Sequence, residues 1–151
     1  MQLLTTLTTP FGRKIRIVLL ERAIDCEIVI DLPTAEDSRV PHVNPLGKVP
    51  VLLLDNGQSL FDSPVIAEYL DMLPVAGARL LPADRHLRLA VRQWESAADG
   101  ISDAAAAIFM EKLRPSHLQS EAWITRQYAK IARGLAYLSA QLGEKNYCVA
   151  N

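Results

Sequence analysis

The stretch Asn44-Pro45-Leu46-Gly47-Lys48-Val49-Pro50-Val51-Leu52-Leu53-Leu54-Asp55-Asn56-Gly57-Gln58-Ser59-Leu60-Phe61-Asp62-Ser63-Pro64 decides how this chain folds. Residues 49–54 are a nearly unbroken apolar run of strand length. Asp55-Asn56-Gly57 follows as a hairpin signal, because Asn and Gly tolerate the positive φ that tight turns demand. Residues 58–61 read as the return strand. Ser63-Pro64 then opens a helix to about residue 73. Serine is a good cap, and proline is favoured at the first helical position, where its missing N–H costs nothing.

Working outward, residues 2–5 are a short apolar strand, and Thr8-Thr9-Pro10 marks a break and a helix start. Residues 11–23 have helical spacing, with Ile15, Val18 and Leu19 on one face. Ile17 and Leu20 widen that face, which predicts a well-buried helix. Residues 27–32, rich in Ile and Val, are a further strand. Residues 33–47 hold three prolines and read as loop with one or two helical turns. The order β-α-β, connection, β-β-α is that of a thioredoxin-like domain with a mixed four-stranded sheet. It is placed at residues 1–75, with a Pro- and Gly-bearing linker at 76–83.

Residues 84–151 read as entirely helical. Leu87, Val91, Trp94, Ala98, Ile101, Ala105 and Ile108 step by four and three, and so do Ile124, Tyr128, Ile131, Leu135, Leu138 and Leu142. Arg114-Pro115-Ser116 separates the two series. Two long helices with matching apolar stripes should pack antiparallel. Asp99-Gly100 interrupts the first stripe. A glycine in a helix interior costs about 1 kcal/mol, so a close approach is expected at that point.

The totals bound the function. Half of the 151 residues are hydrophobic, 22% are charged, and the net charge is −1. That composition suits a soluble globular protein. It supplies no general electrostatic drive toward nucleic acid or an anionic membrane, so neither is expected as a partner. The opening residues do not read as a secretory signal, and no apolar run approaches the length of a bilayer crossing. Cys26 and Cys148 are the two cysteines. Neither lies in a C-x-x-C pair, and no Cys/His cluster has metal-ligand spacing, so no metal is expected. A reducing cytoplasm is the simplest setting. His42, His86 and His117 form no constellation and read as surface residues.

Three segments carry a resemblance. Thr8-Thr9-Pro10-Phe11-Gly12-Arg13-Lys14-Ile15-Arg16 is similar to the first active-site segment of cytosolic glutathione transferases. Asn44 to Leu52 resembles their segment leading into a cis-proline strand, and Phe61 to Leu70 the segment that grips the γ-glutamyl end of glutathione. The order and spacing also match, over roughly residues 9 to 70, and the closest look is to bacterial and plant members of the serine type. The resemblance implies an α/β plus all-α architecture: a thioredoxin-like N-terminal domain with a cis-proline, then a helical C-terminal domain. Because family members carry further helices beyond about this length, the second half is expected to be incomplete, as in a truncated chain.

The same resemblance implies roles. Ser63 binds the γ-glutamyl carboxylate, and Asp62 sits near the ammonium group. By residue type alone Ser63 is equally a plain cap, although a helix N-terminus suits a carboxylate. The Val49-Pro50 bond is expected to be cis, so that the Val49 backbone can pair with the cysteinyl part of glutathione. Lys48 offers a cation to a carboxylate, or is a solvated loop lysine. Thr9, with Thr8 as neighbouring candidate, is the catalytic hydroxyl. A thiol with pKa near 8.5 is mostly protonated at pH 7, and a donated hydrogen bond favours the thiolate that attacks. The relatives place serine or cysteine where this chain has Thr9. Phe11 is a candidate for contacting glutathione, and Phe11, Phe109 and Met110 either line an electrophile pocket or are ordinary core residues. Arg13, Lys14 and Arg16 either raise the local potential or form a basic surface.

The implied function is a glutathione transferase that conjugates glutathione, as co-substrate, to a hydrophobic electrophile. A cytoplasmic homodimer in detoxification is implied too. The alternatives are a glutathione-binding or ligand-carrying protein with little catalysis, and a fold-only interaction protein of the stringent starvation protein A type.

Overall fold

The structure is a computed structural model and describes residues 1–149. The chain forms two compact units, one spanning Met1–Leu81 and the other beginning at Pro82.

In the first unit the order is β1 (Gln2–Thr5), α1 (Pro10–Glu21), β2 (Glu27–Ile30), α2 (Val40–Val43), β3 (Val51–Leu53), β4 (Ser59–Leu60) and α3 (Ser63–Met72). The four strands lie in the order β2-β1-β3-β4. β1 and β2 are parallel, whereas β1 with β3 and β3 with β4 are antiparallel. This is the thioredoxin-like arrangement. Strand side chains alternate between faces, and the core follows that rule. Leu3 and Leu52 face Ile15, Val18, Leu19, Ile66 and Leu70 of α1 and α3. Leu4 and Val51 point the other way, onto Val40 of α2. Each such buried aliphatic side chain contributes about 1.5–3 kcal/mol.

Two expectations change. The apolar run from residue 49 joins the ladder only at Val51, since Pro50 has no N–H to donate. On α1 only the strict face is covered: Ile15 is fully buried, but Ile17 is 49% and Leu20 79% exposed. A face that fills the groove between sheet and neighbouring helix is about 100° wide, and those two residues fall outside it.

The stretch expected as linker belongs, as far as Leu81, to the first unit. A buried pair holds it there. Arg22, 1% exposed, donates to the carbonyls of Leu73 (2.8 Å), Asp71 (3.3 Å) and Gly77. The Asp71 carboxylate lies 3.8 Å from the Arg22 Nε. It accepts from the Leu80 N–H (2.6 Å) and the Leu81 N–H (3.2 Å). Gly77 lies against the Arg22 backbone so closely that a Cβ would stand 2.6 Å from the Arg22 Cα.

In the second unit α4 (Arg85–Lys112) and α5 (Glu121–Leu142) pack together. Gln93 meets Tyr137 and Lys112 meets Tyr128, which makes the pair antiparallel. Asp84 caps α4 and Ser120 caps α5 with side-chain oxygens. The close approach expected at Gly100 is absent, since a Cβ there would meet nothing within 4 Å. It occurs instead at Gly134, where a Cβ would stand 2.6 Å from the Ile101 side chain.

Candidate functional site

Strand directions bring the candidate residues of the first unit to one end of its sheet. β1 ends at Thr5, and the chain turns there into Thr9 and α1. β3 runs antiparallel to β1 with Val51 opposite Leu4, so Val49 and Pro50 enter at that same end. β4 runs antiparallel to β3 with Leu60 opposite Leu52, so it too leaves toward that end, into Asp62, Ser63 and α3. The parallel strand β2 finishes there as well, with Ile30 opposite Thr5. Thr9, Val49-Pro50 and Asp62-Ser63 therefore gather at one sheet edge, although up to 54 residues separate them.

The Val49–Pro50 peptide is cis, as is Phe61–Asp62. Val49 precedes the first paired residue of β3, leaving its backbone outside the ladder. The loop before it is held by Asn44, which is 2% exposed. The Asn44 Nδ2 donates to the Lys48 carbonyl (2.8 Å), and its Oδ1 accepts from the Leu46 N–H (3.0 Å). Gly47 takes φ +59° in this loop, a conformation in which glycine carries no Cβ penalty. The Lys48 side chain is exposed.

Asp62, not Ser63, is the N-cap of α3, and Ser63 with Pro64 occupies the first turn. The capping role expected of Ser63 is therefore not observed, whereas the proline still stands in the first turn, where its missing N–H is harmless. The Asp62 side chain makes no capping bond and is exposed, whereas Ser63 is buried. The first-turn N–H groups are thus not consumed by a side-chain cap, which leaves them suited to an anion.

Thr9 is the N-cap of α1, yet its side chain makes no capping bond either. It is half-buried, Thr8 is exposed, and Phe11 is half-buried. Two neighbours that sequence reading passed over shape this corner. Gly12 is buried, and a Cβ on it would stand 1.9 Å from the Thr5 Oγ1 and 2.7 Å from the Thr9 Cγ2. A glycine in the first turn of a helix, three residues after the candidate hydroxyl, was the available signal.

Cys26 precedes β2 and contacts the Met1 carbonyl (3.6 Å), at the opposite end of the sheet from Thr9. Burial pushes its thiol pKa up, the charges of Asp25, Asp55 and Glu27 add to that, and the amino terminus opposes it. Such a thiol is a poor nucleophile near neutrality. Among the described residues no group of His, Cys, Asp and Glu could hold a metal, and no helix is long and apolar enough to cross a membrane. His42, His86 and His117 are exposed, as are Phe109 and Met110 of α4.

Residues 8–73 match the family described as Glutathione S-transferase, N-terminal domain. The chain is similar to the uncharacterized GST-like protein YibF of Escherichia coli (strain K12), with 46% identity over 142 residues, 94% of this chain and 70% of that one. A glutathione S-transferase crystal structure from Methylobacillus flagellatus with gsh bound is similar at 44% identity and TM-score 0.92, over 98% of this chain and 73% of that one. Another, from Methylobacterium radiotolerans in complex with glutathione sulfonate, is similar at 37% identity and TM-score 0.92, over 99% and 70%.

Proposed function

The chain belongs to the glutathione S-transferase family, and on that premise we propose that it binds glutathione at the sheet edge described above and conjugates it to a hydrophobic electrophile. The convergence of Thr9, Val49-Pro50 and Asp62-Ser63 on one edge carries the reading. The γ-glutamyl carboxylate meets the first turn of α3 and Ser63, and Asp62 faces the ammonium group. The cysteinyl backbone pairs with the unladdered Val49, as an added strand would. Lys48 approaches a glutathione carboxylate, and Phe11 lines the thiol's surroundings.

The Thr9 hydroxyl donates to the sulfur and holds the thiol in its anionic form. The sulfur then forms a bond to the electrophilic carbon, the leaving group departs with the bonding pair, and the thiol proton goes to solvent. Most of the rate gain comes from holding the two reactants together. The proposed setting is a homodimer in the cytoplasm, and sedimentation at the mass of one chain would remove the dimer.

A titration with glutathione, followed by turnover of an aryl halide, tests the proposal. Thr9→Val keeps the shape and removes the donor. It should lower kcat about 10- to 100-fold, the range of one to two pKa units at about 1.4 kcal/mol each, while glutathione still binds. A second reading, glutathione binding with little catalysis, draws on the threonine at position 9, where the family resemblance implies serine or cysteine. Binding without turnover of any electrophile would establish it. Failure to bind glutathione at all would sink both.

A further inference from the structure

We infer that Gly12 is a positioning residue: the space left by its missing Cβ, filled chiefly by the Thr5 hydroxyl, also admits the methyl group of Thr9, and this aims the Thr9 hydroxyl out of the helix. The inference rests on the proposed role of that hydroxyl.

Threonine at a helix N-cap ordinarily turns its oxygen back to accept from the second or third N–H of the helix. Thr9 stands at that place and makes no such bond. Its methyl lies beside Gly12 instead. A Cβ built on Gly12 would stand 2.7 Å from the Thr9 Cγ2, too close for both to fit. The same Cβ would stand 1.9 Å from the Thr5 Oγ1 and 3.2 Å from the Thr5 Cβ. Thr5 is fully buried and its hydroxyl lies 3.2 Å from the Thr6 carbonyl, so it cannot swing clear.

β-Branched side chains are stiff at χ1. Once the methyl is seated over Gly12 and the capping direction is refused, the hydroxyl takes a remaining staggered position, away from the helix N–H groups. A serine at position 9 has no methyl and needs no such space. Threonine at position 9 and glycine at position 12 therefore work as a pair, and this is how the chain keeps a usable donor with a bulkier residue than serine.

The test reads the pKa of bound glutathione from the pH dependence of thiolate ultraviolet absorbance in the complex, together with kcat and the glutathione Kd. Gly12→Ala should raise that pKa by about one unit, which is about tenfold less thiolate at neutral pH. Glutathione Kd should stay within about threefold. Adding Thr9→Ser removes the clashing methyl and should recover at least half of the shift, an outcome that general loosening of the helix would not produce.

Because Gly12→Ala also meets Thr5, the series is repeated in a Thr5→Ala background, where only the Thr9 contact remains severe. A folded Gly12→Ala protein with an unshifted thiol pKa, or no recovery with serine, overturns the inference. Thr9→Val separates the two levels. If it leaves the thiolate unchanged, the role of the Thr9 hydroxyl falls and the inference with it. If it abolishes the thiolate while Gly12→Ala does nothing, the inference alone falls.

Discussion

Asn44 spends both ends of its amide inside one short loop, on the Lys48 carbonyl and the Leu46 N–H. Both bonds are part-buried, so water replaces them only incompletely. Asn44→Ala should therefore cost about 2 kcal/mol, the range for a buried polar group left unsatisfied, measured by urea unfolding. Since the loop leads directly to Val49-Pro50, the variant should also raise the KM for glutathione more than it lowers kcat. An equal loss in both would show that the loop does more than place the peptide. Asn44 could not be singled out from sequence, because a polar residue before a proline reads as an ordinary turn residue. Thr9, Asp62 and Ser63 could be proposed from sequence because they lie in segments that resemble those of a known family. Those segments also sit at helix starts and beside prolines, signals that survive without knowledge of what packs nearby.

The helices of the second unit separate two glycines that look alike in sequence. Gly100 is exposed in the interior of α4 with open space around it, whereas Gly134 of α5 lies on Ile101. Gly100→Ala should stabilise by up to about 1 kcal/mol, the helix-propensity difference. Gly134→Ala should destabilise by about 1–3 kcal/mol through overpacking. Thermal unfolding of the two variants would decide, and equal effects would contradict the packing described. The junction of α4 and α5 is tied by Glu111, which accepts from the Ser120 N–H (2.9 Å) and from Arg114. Those bonds, the Ser120 one foremost, hold its carboxyl pKa below the usual value. A depressed acid stabilises the fold at pH above its unfolded pKa, near 4.3 for glutamate. That stability is lost as the pH falls through the lower folded value. Glu111→Gln should flatten this part of the acid-unfolding curve, and an unchanged curve would remove Glu111 from it.

Across the whole first unit, the buried Arg22–Asp71 pair reaches farther than any local signal could indicate, joining the end of α1 to the stretch ending at Leu81. Removing one partner of a buried pair costs about 3–5 kcal/mol, because the other is left uncompensated. Asp71→Asn should lower stability by that amount and expose residues 74–80 to limited proteolysis while α4 and α5 stay resistant. Cleavage first within α4 would contradict the assignment of this stretch to the first unit. Only some of this was readable in advance. Arg22, just past the end of α1, and Asp71, in α3, sit 49 residues apart, and nothing in the spacing of charges along the chain joins them.

By itself the sequence determined the element order and the thioredoxin-like class, while the three segments proposed for the site stood out by their resemblance to glutathione transferases. Element order and fold class depend on periodicity, turn chemistry and helix starts, all of which act over a few neighbouring residues. Tertiary structure alone decided which of those residues share a sheet edge, how wide the buried face of α1 is, where the first unit ends, and which glycines are required. Those outcomes depend on what each backbone meets across space. Thr9 shows the division most plainly: its place before Pro10 made it a candidate, and only the missing Cβ of Gly12 set the side of the helix to which its methyl turns.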